Sequence, residues 1–138
     1  MKNRVSILLA VLALIVASLA CSLVETEMGM DNLRLAFDSD GESPTTVFAP
    51  GDVFYAVADL TNAPAGTVAS AQWIVVDIED MESGEVIYEQ AINDFTDDSF
   101  TGTIYFQLSN DDGWPVGEYK VDVYLNETFV QSAVFSVR

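Results

Sequence analysis

The stretch GEYKVDVYLNETFVQSAVFSV, residues 117–137, decides the fold. Tyr119, Val121, Val123 and Leu125 alternate with Glu118, Lys120, Asp122 and Tyr124. After a tight Asn126-Glu127 turn, Ala133, Phe135 and Val137 take up the same period. Successive side chains of a strand point to opposite faces, so a period of two puts these apolar residues on one side of a hairpin.

The pattern repeats toward the N-terminus. Phe100 to Leu108 places Phe100, Ile104, Phe106 and Leu108 on one side. Val86 to Ile92 follows a Glu82-Ser-Gly84 turn, and Ala71 to Asp80 sets Ile74, Val76 and Ile78 on one face. Val53 to Leu60, a short edge strand over Thr45 to Phe48, and Asn32 to Phe37 with Leu33, Leu35 and Phe37 complete the set. Gly, Pro, Asn and Asp cluster between these runs because they accept turn geometry. No window after residue 30 offers an amphipathic helix. Seven or eight short strands predict an all-β domain over residues 32–138, with two antiparallel sheets packed face to face. A sandwich of this length buries enough apolar surface to fold without disulfides.

Gly117-Glu-Tyr119-Lys-Val121 resembles the tyrosine-corner segment of immunoglobulin-like and fibronectin-type domains, and Trp73 stands near the start of the third long strand, where that family often has its core tryptophan. The resemblance implies an immunoglobulin-like antiparallel β-sandwich and a Tyr119 hydroxyl bonded to nearby backbone. It implies no particular function.

The N-terminus is a different kind of segment. Lys2 and Arg4 precede an uncharged run from Val5 to Val24, in which Ile7 to Ala17 is continuously apolar, the length of a signal-peptide core. Ser18 and Ala20 put small residues three and one positions before Cys21, the only cysteine. A lone cysteine makes no internal disulfide, and its place at the end of the apolar core supplies another use. Residues 1–20 resemble a bacterial lipoprotein signal, which implies that Cys21 becomes a lipidated N-terminus and residues 21–31 a tether. Two other outcomes stay open: an uncleaved helix long enough to cross a bilayer, and cleavage after Ala20 with free secretion. Each of the three carries the domain out of the cytoplasm, and the first two hold it at the membrane.

Beyond Cys21 the chain has 22 acidic residues against Arg34, Lys120 and Arg138, a net of 3 − 22 = −19. That field repels phosphates, so nucleic acid is excluded as a partner. There is no histidine, which removes Ser-His-Asp and Cys-His catalysis and histidine-based zinc sites. Carboxylate pairs are inevitable among so many acids and decide nothing about glycoside chemistry.

Two constellations remain. Asp38-Ser-Asp40-Gly-Glu42 carries part of a calcium-loop pattern; Asp94 with Asp97 and Asp98, and Asn110-Asp-Asp112, are looser oxygen-rich loops. Turn chemistry by itself accounts for all three, and is the preferred reading of each. The phase of Ile74, Val76 and Ile78 turns Trp73 and Val75 outward, and the phase of Val121 and Val123 does the same for Tyr124. Trp73 and Tyr124, extended by Trp114, would then form an aromatic binding face. The expectation is a membrane-anchored extracytoplasmic lipoprotein acting as a non-catalytic binding module for an envelope protein or glycan. A calcium-stabilised structural spacer is the alternative.

Overall fold

A computed structural model describes residues 27–138. The expected signal or anchor segment and Cys21 lie outside them. The described residues form eight strands and no helix: β1 (Gly29–Ala36), β2 (Val47–Phe48), β3 (Phe54–Ala63), β4 (Ala69–Ile78), β5 (Val86–Ile92), β6 (Phe100–Leu108), β7 (Gly117–Leu125) and β8 (Thr128–Val137). They make a three-stranded sheet in the order β1-β3-β6 and a five-stranded sheet in the order β2-β8-β7-β4-β5. β1 opens at Gly29 rather than at Asn32, and β2 is the short edge strand, parallel to β8.

The β7–β8 hairpin is as the alternation requires. Tyr119, Val121, Val123, Leu125, Phe135 and Val137 all enter the core. Asn126 and Glu127 both adopt positive φ, the backbone of a two-residue turn whose twist matches the strands it joins. The turn is docked by Asn126, whose amide donates to Val68 O while its side-chain oxygen accepts from Val68 N. Gly29 and Met28 lie at this end beside Asn126. Arg138 lies at the other end, its amide donating to Phe48 O.

Tyr119 is 1% exposed and stacks on Phe135 with ring planes 12° apart. Its hydroxyl donates to Pro115 O at 2.6 Å, and burial raises its pKa above the ordinary phenol value. The acceptor is a backbone carbonyl, which proline retains. Gly117 lets the start of β7 lie close against the end of β4: at φ 151° a Cβ there would stand 2.5 Å from Asp77 O and 2.8 Å from Ile78 Cγ1.

The first departure from the alternation lies in β4. Opposite β7, Val75 pairs with Tyr119 and Asp77 with Glu118, leaving Val76 as an extra, bulged residue. A bulge reverses the phase of everything beyond it. Ala69, Ala71, Trp73 and Val75 therefore share the core with Ile78, whereas Ile74 is buried outside the core cluster. The expectation that Trp73 and Val75 face outward is corrected accordingly.

The second lies in the turn after β1. Arg34 reaches across it, donating to Asp40 O at 3.2 Å and Gly41 O at 3.4 Å, with Nη1 bonded to Asn32 O and paired with Asp59 at 3.4 Å. Asp38 closes the turn by accepting from the amides of Glu42 and Ser43. The Glu42 amide is the main cause of a lowered Asp38 pKa, and the Asn32 side-chain amide, followed by Arg34, lowers that of Asp59.

Replacing Tyr119 with Phe should lower stability by about 1 kcal/mol, because the hydrogen bond from the Tyr119 hydroxyl to Pro115 O is lost. Chemical denaturation reads this directly, and an unchanged midpoint would mean that the bond adds nothing. The turn makes a prediction about acid. A carboxyl with a depressed folded pKa contributes stability above its unfolded value of 3.8 and loses it as pH falls through the folded value. Melting temperature should therefore drop below about pH 3.8, and Asp38→Asn should flatten that limb. Gly41→Ala should cost about 1–2 kcal/mol, since Gly41 sits at φ 70° and a Cβ would displace the Arg34 guanidinium.

Candidate functional site

The three expected aromatic residues occupy three different places. Trp73 is 1% exposed in the core, its indole N–H donating to Gln90 Oε1 at 3.0 Å. Trp114 covers one end of the sandwich, its ring 5.3 Å from Phe54 and its amide bonded to Pro50 O. Tyr124 is half-buried on the outer face of the five-stranded sheet, where its hydroxyl donates to Gln72 Oε1 and its ring meets Phe129 edge-on. They form no common face, because the bulge at Val76 puts Trp73 on the opposite side of the sheet from Tyr124.

Asp38, Asp40 and Glu42 do lie in one turn, but the Asp38 carboxylate and the carbonyls of Asp40 and Gly41 already have partners. Backbone amides take the Asp38 carboxylate, and Arg34 takes the carbonyls of Asp40 and Gly41. A guanidinium holds the carbonyls that a calcium ion would need, while the side chains of Asp40 and Glu42 face solvent. Asn110 accepts from the Asp112 amide and donates to Gly113 O, so this loop is a hydrogen-bonded turn. Among the described residues no three His, Cys, Asp or Glu side chains are grouped so as to hold a metal ion.

One concavity among the described residues is not revealed by the alternation. β5 and β6 are the edge strands of the two sheets on the same side of the sandwich, and a groove of about 660 Å³ runs between them. Pairing with β4 puts Tyr88, Gln90 and Ile92 in register with Trp73, Ala71 and Ala69, on the inward side of β5. Gln90 spans the opening: it accepts from Trp73 and donates through Nε2 to the backbone oxygen of Gln107 on β6. Beyond Gln90 the groove is open. Ile92, Phe95, Phe100 and Ile104 supply its apolar lining, and Asp94 and Asp97 its charge. Phe95 and Phe100 pack with ring centroids 5.2 Å apart and close one end.

Sequence reasoning missed Gln90. The available signal was an amide in the inward phase of Val86–Ile92, where an apolar residue is the norm. The opposite side of the sandwich is closed by β1 and β8, with the Leu33 amide bonded to Gln131 Oε1. The outer face of the five-stranded sheet mixes bonded polar groups with the exposed apolar side chains of Phe129 and Val134. Ser132 and Lys120 hold the nearly buried Asp122, and Gln72 donates to Glu89.

No protein-family model matches the chain, and no curated protein matches it. Its likenesses are to parts of larger solved structures. The alkylpurine DNA glycosylase AlkC of Pseudomonas fluorescens superposes with a TM-score of 0.53 at 16% identity, over 85% of this chain and 32% of its own. A β-glucosidase involved in saponin metabolism from intestinal bacteria gives 0.54 at 16% identity, over 82% and 16% of the two chains. A β-glucosidase of Listeria innocua gives 0.52 at 13% identity, over 81% and 16%. The chain thus spans a third or less of each of these proteins, and at such identities the likeness is one of fold alone.

Proposed function

We propose that this chain is an extracytoplasmic domain, held at a membrane through its N-terminus, that binds another component of the cell envelope and performs no catalysis. The observation that carries the binding reading is the groove between β5 and β6, which is apolar within, acidic at its rim and spanned by a single glutamine. The basic residues Lys2 and Arg4, the apolar core Ile7 to Ala17 and the position of Cys21 support export and lipid attachment. The non-catalytic reading rests on the sequence. A chain with no histidine, whose single lysine beyond the signal is paired with Asp122, has few groups suited to general-base or nucleophilic work.

Within the β-sandwich class, we assign an immunoglobulin-like arrangement. The sheet orders β1-β3-β6 and β2-β8-β7-β4-β5, the Tyr119 to Pro115 bond and the core position of Trp73 support it. The partner is a protein or glycan of the envelope, since the charge of −19 beyond Cys21 repels nucleic acid.

The anchor is tested by phase partition. The chain should enter the detergent phase, and Cys21→Ser should move it to the aqueous phase. Mass spectrometry of the mature N-terminus should show a lipidated Cys21. An intact Met1 identifies an uncleaved helix instead, and an unmodified Cys21 terminus identifies secretion. Binding is tested by photo-crosslinkers placed in turn at Tyr105, Val134 and Phe129 in intact cells. Discrete adducts from at least one position are expected; none from any position would leave the domain a spacer.

A further inference from the structure

We propose that the free edge of β6, as one wall of the β5–β6 groove, accepts an extended segment of a partner protein as an added strand, and that this segment carries Lys or Arg among apolar residues. The inference rests on the reading of the chain as a binding module and names the site and the partner's chemistry.

The backbone supplies the first argument. Gln107 O accepts from Gln90 across the groove, so the polar groups of Gln107 point away from β3. In an antiparallel strand the N–H and C=O of a residue lie on the same side, and that side alternates along the chain. Thr103 and Tyr105 share the phase of Gln107, so their backbone groups also face the groove. Among the described residues no strand pairs with β6 on that side. The side-chain amide of Gln90 already makes the bond that a neighbouring strand's N–H would make.

The second argument is a comparison of edges. Native sheets blunt their edges with bulges, short strands, Lys or Pro, or cover them. β2 has two residues, β5 is bulged at Ile87, and β1 is irregular at Asn32 and Leu33 and packs beside β8. β6 has none of these features: it contains no Lys or Pro, and its register with β3 runs unbroken from Leu108 to Gly102. A regular edge of this kind is a template for strand addition.

Charge selects the occupant. No Lys or Arg occurs between Arg34 and Lys120, so the groove has no cation on its own strands, and Asp94 and Asp97 line it. A second copy would bring the same negative field. A neutral glycan does not reproduce the donor–acceptor repeat of roughly 6.8 Å that an edge presents every two residues. An extended peptide does, and basic side chains are attracted by the field while alternate apolar ones reach Ile92, Phe95 and Phe100.

The test is a titration of the full-length chain in detergent micelles with three capped hexapeptides: alternating Lys and Val, alternating Glu and Val, and the Lys–Val peptide N-methylated on its pairing edge. The Lys–Val peptide should shift the amide resonances of Thr103, Tyr105, Gln107 and the Gln90 side chain. N-methylation should weaken binding at least tenfold, and the Glu–Val peptide should not bind. Asp94→Lys with Asp97→Lys, at two exposed positions, should weaken the Lys–Val peptide about tenfold. Tyr105→Pro removes an edge N–H that β3 does not use, and should also weaken binding about tenfold. Equal affinity for the N-methylated peptide, shifts confined to another face, or no binding at millimolar peptide would overturn the proposal. The titration needs neither the anchor nor the native partner, so its failure leaves the anchored-module reading to partition and cross-linking.

Discussion

Phe54, at the start of β3, is the residue on which the association of the two sheets depends. It belongs to the three-stranded sheet, yet its ring lies 4.7 Å from Phe48, 5.0 Å from Phe135, 6.2 Å from Tyr119 and 6.3 Å from Trp73, all in the five-stranded sheet. Trp114 closes over it from the loop before β7. One side chain thus touches strands β2, β4, β7 and β8 together. In a domain with no disulfide, inter-sheet cohesion falls to burial, and aromatic pairs at such distances add about 0.5–1.5 kcal/mol each beyond their area. Tyr119 belongs to the same cluster. Tyr119 stacks on Phe135 while its hydroxyl holds Pro115 O, so the loop carrying Trp114 is fixed from below as well as from above.

How far the sequence discloses this architecture depends on whether a strand is regular. β6, β7 and β8 are unbroken or nearly so on their core faces, and their period of two gives both position and orientation. β4 is broken at Val76, and the alternation read from Ile74 to Ile78 assigns Trp73 to solvent. Position within the chain, by resemblance to the core tryptophan of other sandwiches, gives the right answer there because topology is indifferent to one inserted residue. Phe37 misleads in a similar way: β1 ends at Ala36, and Phe37 lies half-exposed against the edge of Phe48. The groove was not legible. Which strands end as sheet edges, and which edges share a side, follows from long-range pairing that local periodicity does not encode. The turn from Asp38 to Glu42 was half legible: its acidic oxygens are visible in sequence, but the Arg34 guanidinium that engages its carbonyls arrives from the preceding strand.

Charge is distributed with a similar economy. Of the three cations beyond Cys21, Arg34 and Lys120 each sit against an aspartate, Asp59 and Asp122. Asp122 is nearly buried on a sheet face and takes a second bond from Ser132. The positive charge is largely spent on fixing a turn and a sheet face, and the remaining carboxylates stand unneutralised. Such a surface resists self-association even though the β6 edge is regular, so long-range repulsion does the protective work that Lys or Pro does on other edges.

The placement of the start of β1 and the end of β8 has a mechanical consequence. Gly29 enters beside the β7–β8 turn, and Arg138 leaves beside Phe48 at the opposite end of the sandwich. β1 and β8 therefore run in the same direction, side by side across the two sheets. Tension between these two points is directed along the strands, and it loads the ladders β1–β3 and β7–β8 in shear. Their hydrogen bonds then share the load and do not open one at a time. The groove between β5 and β6 lies on the far side of both ladders, out of the line of force.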